Sequence, residues 1–251
     1  MKLQGKKALI TGAGRGIGRG IAEVFAEEGA DIVVNDISTT GQAEEVAAWI
    51  RAKGRRAIAI HADVSNRAQV ESMFEQAWRD LGPLDILVNN AGIETIIPFL
   101  EMTDDKWTRL VDVNLRGPWM CSQVFCRHVL GAKRAGAIVN IGSVQAARSL
   151  PGRTHYAPTK LAMEALTRNV STEVAHLGIR VNCVHPGLFE TPMTEWVMTD
   201  KKLLPQVLAG ISLGRAGQPR EAGAVVAFLA SDEASYLTGQ SIHLEGGWIG
   251  K

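Results

Sequence analysis

The sequence predicts one α/β domain built on a parallel, doubly wound sheet. Short apolar runs alternate with amphipathic helical stretches along the whole chain, the pattern of strands whose crossover helices cover both faces. A glycine-rich turn joins the first apolar run to the first helix. The 251 residues are enough for one large α/β domain, and no repeat, low-complexity tract or linker divides them.

Composition narrows the function. With 46% hydrophobic and 21% charged residues the chain is globular, and a net charge of +1 supplies no field to steer nucleic acid or a membrane surface. Neither is expected as a partner. No apolar run has the length of a membrane span, and the N-terminus enters a strand-like run without a signal-peptide pattern, so a cytoplasmic location is expected. Cys121, Cys126 and Cys183 form no CxxC and read as reduced thiols. The six histidines show no ligand spacing, so no metal site is expected.

The first third reads as a dinucleotide site. Lys7 to Thr11 is a strand, Gly12-Ala13-Gly14-Arg15-Gly16-Ile17-Gly18 follows, and Ile17, Ile21, Val24 and Phe25 then repeat at helical spacing until Gly29. Glycines let the backbone turn tightly against a pyrophosphate, and the helix N-terminus offers free N–H groups and a partial positive charge. The strict G-x-G-x-x-G spacing is absent, because Ile17 fills the third glycine's place. Asp31 to Asn35 is the second strand, and Asp36 follows it. A carboxylate there accepts hydrogen bonds from an adenosine ribose and repels a 2′-phosphate, which favours NAD over NADP. Arg15 pulls towards NADP, while Ile37 supplies no second cation. A helix over 41–53, a third strand over 57–60, a helix over 69–80 and a fourth strand over 84–88 follow. Between them Asp63, beside Val64, is expected to cap the next helix, to bond an adenine amine, or to do both. Asn89-Asn90-Ala91-Gly92 ends the fourth strand. All these polar groups fall at carboxyl ends of strands, where such sheets bind ligands.

The middle carries candidate reacting groups. Asp104 to about Leu130 reads as one long helix with Trp107, Leu110, Val111, Asn114, Leu115, Val124 and Phe125 inward, which makes Asn114 a buried amide. Gly136 to Ile141 is the fifth strand and delivers Ser143 into the same crevice. Tyr156 and Lys160, four apart, share one helix face, and a fixed ammonium favours the ionised form of a nearby phenol. Proline is tolerated only in a first helical turn, so Pro158 puts the helix start near Thr154 as N-cap, with Leu161, Ala165, Leu166 and Val170 continuing the helical spacing. A sixth strand over 178–184 leads into His185-Pro186-Gly187. The segment 188–214, with Trp196, Met198, Leu203 and Leu204, reads as one or two short helices over the crevice, either a lid or a packing and subunit contact. A core helix over 222–229, a seventh strand over 241–244 and a short tail complete the chain.

These motifs together resemble the classical short-chain dehydrogenase/reductase family: Thr11-Gly12-x-x-x-Gly16-x-Gly18, Asn89-Asn90-Ala91-Gly92, Asn114, Ser143, Tyr156-x-x-x-Lys160 and Pro186-Gly187. The resemblance implies a seven-stranded Rossmann sheet in the order 3-2-1-4-5-6-7, NAD(P)-dependent hydride transfer and a homotetramer. It implies that Tyr156 exchanges the substrate proton, that Lys160 lowers its pKa and bonds the nicotinamide ribose, and that Ser143 orients the substrate oxygen. Asn114 would hold a water through a local kink. Asn90, Ala91, Gly92, Pro186 and Gly187 would line the cofactor, and Thr191 would bond its carboxamide. For the substrate, Glu94, Thr95, Gln145, Arg148, Arg153, His155 and Trp196 are expected to line the pocket. Glu94 and Gln145 suit hydroxyl groups, and Glu94 with His155-Tyr156 resembles the aldose and polyol dehydrogenases, including glucose 1-dehydrogenase. A sugar or polyol is therefore the expected substrate. The alternatives are a 3-oxoacyl-thioester reductase of the same family and, more remotely, a cofactor-binding protein without catalysis.

Overall fold

Strands covered by helices on both faces bury both sets of alternating side chains, so their sequences are apolar throughout. The computed structural model, which describes residues 1–250, shows this arrangement. Strands β1 (Lys7–Ile10), β2 (Asp31–Asp36), β3 (Ala57–His61), β4 (Ile86–Asn89), β5 (Gly136–Ile141), β6 (Ile179–Pro186) and β7 (Ser241–Leu244) form one sheet in the order β3-β2-β1-β4-β5-β6-β7. Every neighbouring pair is parallel. The helices are α1 (Gly16–Glu27), α2 (Gln42–Ala52), α3 (Arg67–Asp80), α4 (Asp104–Val111), α5 (Gly117–Gly131), α6 (Tyr156–Val174), α7 (Glu195–Met198), α8 (Leu203–Ala209) and α9 (Pro219–Ala230). This is the Rossmann topology that the motifs imply.

Two cores follow from the period of two along each strand. Ala8 and Ile10 of β1, with Ile32 and Val34 of β2, pack with residues of α1, α2 and α9, including Ile21, Phe25, Ile50 and Val226. Leu9 and Val33 point the other way and pack with α3 and α5 through Val70, Phe74 and Phe125. Helices α1 and α9 approach closely because glycines face each other. A Cβ on Gly20 would stand 2.5 Å from the Pro219 carbonyl carbon, and one on Gly223 would stand 2.7 Å from the Gly20 oxygen.

Four local expectations are corrected. Asn66, not Asp63, caps α3, accepting from the Gln69 N–H. The long helix is broken by a π-helical turn at Asp112–Arg116 between α4 and α5, where the Gly117 N–H donates to Asp112 O five residues back. Thr154 does not cap α6. The chain enters that helix through a turn closed on Arg153 O, which serves the N–H groups of Tyr156 and Ala157. Pro158 still falls in the first turn, as its missing N–H demands. Finally, Trp107 and Leu161 are 43% and 52% exposed. The buried stripe of α6 is instead Tyr156, Thr159, Lys160, Met163, Thr167 and Ser171. Its polar side turns inward because buried amides wait for it there. Asn89 Nδ2 donates to Asn140 Oδ1 (2.8 Å) and to Ser122 Oγ (3.0 Å), and Asn140 Nδ2 donates to Thr167 Oγ1 (2.9 Å).

That chain ties β4, β5, α5 and α6 beneath the carboxyl edge of the sheet. Removing a buried partner leaves the others unsatisfied, at about 1–3 kcal/mol. Asn140→Leu should therefore lower the unfolding free energy by about that amount, read from the urea midpoint at unchanged m-value.

Candidate active site

The crevice lies at the carboxyl ends of the strands and encloses about 830 Å³. Its first wall is the loop from β1 to α1. Gly12 and Gly16 have positive φ, at 62° and 56°, a conformation that glycine adopts without penalty. A Cβ on Gly18 would stand 2.2 Å from Gly12 O, and one on Gly12 would stand 2.9 Å from the Ala91 Cα. Only glycines fold this loop, and Ile17 at the missing glycine position lines the crevice instead. Arg15, the N-cap of α1, makes no side-chain cap, so the first turn keeps the donors that an anion uses. The Thr11 hydroxyl accepts from the N–H groups of Asn90 and Ala91 (3.0 Å each), and Asn90 Nδ2 donates to Thr11 O (2.9 Å) and Gly12 O (3.0 Å). The glycine loop and the segment after β4 therefore move as one piece.

Asp36, at the end of β2, is oriented by two backbone donors, Gly14 N–H at 3.1 Å and Ser38 N–H at 2.8 Å. A carboxylate offers about four acceptor positions, so capacity for ribose hydroxyls remains. Ile37 beside it lines the crevice and brings no charge. Asp63 accepts from Ser65 and pairs with Arg109 at 3.1 Å. Those bonds hold its carboxyl below the usual range against the opposing effect of burial. Val64 lies next to it in the wall. Gly92, Pro186, Gly187 and Thr191 line the crevice further along. The residues present fit a dinucleotide: close-packed glycines at a helix N-terminus, a fixed carboxylate at the end of β2, and a cavity of ligand size.

Ser143, Tyr156 and Lys160 come together at the crevice's inner end. Ser143 follows β5 and stands near enough to the Tyr156 phenol to favour its ionised form. Lys160 Nζ donates to Ile141 O at 3.0 Å and stands 5.5 Å from the Tyr156 ring centre. Burial pulls the Lys160 ammonium down to about 8. The Tyr156 phenol is pushed well above its ordinary value, by burial first and then by the Glu94 carboxylate, against Ser143 and Arg153. In the protein alone, desolvation dominates the phenol. Asn114 is bracketed by one residue, its Nδ2 donating to Ile93 O and its Oδ1 accepting from Ile93 N–H, both at 2.8 Å. It sits in the π-helical turn, so the expected kink is present, and its amide positions the strand of chain next to Lys160.

Around these groups Glu94, Gln145, Arg153 and Trp196 line the crevice. Glu94 accepts from Arg153 Nε (2.8 Å) and Gln145 Nε2 (3.0 Å), while the Arg153 guanidinium lies 5.5 Å from the Trp196 ring centre. Gln145 Oε1 is buried with no hydrogen-bond partner. Thr95, Arg148 and His155 do not line the crevice. His155 is fully buried and its Nε2 meets Thr95 Oγ1 at 2.8 Å, which ties the loop after β4 to the start of α6. Arg148 stacks on Trp248 at 4.9 Å. Trp248 itself lines the crevice, which sequence reading missed. The one available signal was a large aromatic in an otherwise glycine-rich tail. Helices α7 and α8 contribute Trp196, Val197, Leu203 and Val207 to the same wall.

A family model described as enoyl-(acyl carrier protein) reductase matches residues 12–249. The chain belongs to the short-chain dehydrogenase/reductase family. A curated relative, the 3-oxoacyl-(acyl-carrier-protein) reductase of Staphylococcus aureus, is 42% identical over 242 residues, covering 96% of this chain and 97% of its own. Among solved structures, a gluconate 5-dehydrogenase from Burkholderia cenocepacia in complex with NADP and tartrate superimposes with a TM-score of 0.94 at 36% identity, over 100% of this chain and 97% of that one. A short-chain type dehydrogenase/reductase from Mycobacterium marinum gives 0.92 at 34% identity, over 98% and 96%. The protein is thus an NAD(P)-dependent oxidoreductase of this family. No helix among the described residues is long and apolar enough to cross a membrane.

Glu94 and Arg153 act on the phenol with opposite signs. Glu94→Gln should move the Tyr156-dependent inflection in the pH profile of alcohol oxidation to lower pH, and Arg153→Met should move it to higher pH. Profiles of kcat/KM against pH for the two variants measure both signs.

Proposed function

We propose that this short-chain dehydrogenase oxidises a secondary hydroxyl of a sugar or polyol, or reduces the corresponding ketone, with NAD preferred over NADP. The supporting observation is the polar cluster beside Tyr156. Glu94, held by Arg153 and Gln145, is a fixed acceptor for hydroxyl donors, and Gln145 Oε1 is a buried acceptor with no donor from the protein. Buried acceptors left unpaired are costly, and a hydroxylated substrate supplies the missing donor. The structural relative described as a gluconate 5-dehydrogenase supports the same class.

In this reading, Gly12 to Gly18 receive the pyrophosphate, Asp36 the adenosine ribose, and Asp63 and Val64 the adenine. Asn90, Ala91 and Gly92, with Pro186, Gly187 and Thr191, hold the remainder, and Lys160 bonds the nicotinamide ribose. A bound nicotinamide supplies the hydride acceptor in oxidation and the hydride donor in reduction. Tyr156 Oη takes the hydroxyl proton in oxidation and returns it in reduction. Ser143 Oγ orients the substrate oxygen and stabilises its developing charge. Asn114 holds the backbone beside Lys160. Helices α7 and α8 serve as a lid that excludes water. The exposed apolar side chains Trp107, Trp119 and Leu161 suit burial between subunits of a homotetramer.

A 3-oxoacyl-thioester reductase is the second reading, favoured by the identity to the staphylococcal enzyme. A panel of aldoses, polyols, hydroxy acids and 3-oxoacyl thioesters, run with NAD(H) and NADP(H), separates them. Turnover confined to the thioesters would refute the sugar reading. Tyr156→Phe should lower kcat by about 100- to 10,000-fold with cofactor affinity unchanged, checked by steady-state kinetics and cofactor fluorescence titration. Asp36→Ala should raise the NADP-to-NAD ratio of kcat/KM by about tenfold or more, because it removes like-charge repulsion at the 2′ position. An unchanged ratio would refute the role given to Asp36.

A further inference from the structure

Behind Ser143 stands a buried imidazole that the proton chemistry above does not use. His185 is fully buried near the end of β6. Its ring lies flush on Gly142, where a Cβ would stand 2.3 Å from Nδ1. Nδ1 is 3.1 Å from Ser143 N and 3.0 Å from Ser143 O. Nε2 is 3.3 Å from Cys183 Sγ and 3.5 Å from Glu164 Oε1 on α6. The His243 ring of β7 stacks on it at 4.9 Å.

One neutral ring cannot satisfy both Ser143 contacts, because Nδ1 carries either a lone pair or a hydrogen. The far side of the ring decides. Glu164 is an acceptor only, and its other oxygen faces Arg168 at 3.5 Å. Its charge, 3.5 Å from Nε2, favours a hydrogen there, which leaves Nδ1 as the acceptor of the Ser143 N–H and turns its lone pair toward Ser143 O as well. Cys183 takes either role. Burial holds the ring neutral, with His243 and Lys160 disfavouring a further cation, against Ser143 and Glu164, which favour one.

We propose that His185 is a positioning residue for Ser143: its Nδ1 accepts the Ser143 N–H, and Glu164 on α6 selects the tautomer that permits it. Ser143 then faces the phenol in front and is tied to the helix that carries Tyr156 and Lys160 through His185–Glu164 behind. A displacement of about 1 Å at a reacting group can cost about 100-fold in rate, so this tether governs turnover without touching substrate.

The test has two parts. In the intact protein with 15N-labelled histidine, NMR should show His185 with Nε2 protonated and Nδ1 bare at neutral pH. Glu164→Leu should lose that exclusive tautomer. For kinetics, the most active substrate of the panel above is used. His185→Phe, which fills the space without an acceptor, should lower kcat by about 10- to 100-fold, with cofactor affinity within about twofold of the parent. His185→Asn, whose amide oxygen accepts from the Ser143 N–H, should recover most of the loss. A hydrogen on Nδ1 in the parent protein overturns the proposal. So does a His185→Phe enzyme as active as the parent, or an Asn variant no better than the Phe variant. The tautomer is measured without any substrate, so failure of the sugar reading leaves this test intact.

Discussion

The buried ammonium of Lys160 is the constraint on which the site depends. It is 5% exposed and donates a hydrogen bond to Ile141 O, at the end of β5. Isolating a cation from water is costly, and burial shows in the fall of its pKa to about 8. The surroundings are shaped to bear this. Gly92 leaves open the place where a Cβ would come within 3.6 Å of Nζ, and Asn114 holds that stretch of chain from the other side. The helix carrying Lys160 turns Thr159, Lys160, Thr167 and Ser171 inward alongside Tyr156 and Met163. Thr167 on the same stripe closes the buried chain through Asn140 and Asn89. Side-chain amides thus do at the carboxyl edge what apolar packing does in the middle of the sheet. They fix the strand ends against α5 and α6, and with them the distance between Ser143 and Lys160.

Much of this was legible in the sequence, for identifiable reasons. Strands β1, β2, β4 and β5 were readable because they are short, mostly apolar and buried, and bounded by glycine or polar residues. The glycine loop and Tyr156-x-x-x-Lys160 were readable because close backbone approach and helical spacing leave few alternatives. Pro158 constrained the start of α6 to within a turn, though the backbone carbonyl of Arg153, not Thr154, serves its first donors. What was hidden depends on contacts across distant segments. His155 and Thr95 point at each other, not at substrate, because both are at loop ends that meet only in the fold. Trp248 reaches the crevice from a tail that carries no periodic signal. Asp63 lost the role of cap to Asn66 because the two lie within one turn, and local rules favour both.

The electrostatics of the crevice follow from the same economy of water. Glu94 and Arg153 are both nearly buried, with side chains 11% and 7% exposed, and their pairing keeps the pocket close to neutral. Neither charge would be tolerated there alone. As a pair they leave Glu94 as an acceptor lining the crevice while the guanidinium packs against Trp196 of α7. Helix α7 is thereby attached to the polar cluster by one cation–aromatic contact of modest strength.

The state of Tyr156 ties these features to turnover. Its phenol is desolvated by the fold and faces a carboxylate, and both effects keep it protonated. Ser143 and Arg153 oppose them without prevailing, and the Lys160 ammonium stands 5.5 Å from the ring centre. A protonated phenol is the right donor for reducing a carbonyl. In the role proposed for Tyr156, oxidation needs the phenolate, which the protein's own charges disfavour and a further positive charge in the crevice would favour. The oxidised nicotinamide carries one. On that proposal, proton abstraction is coupled to the arrival of the hydride acceptor.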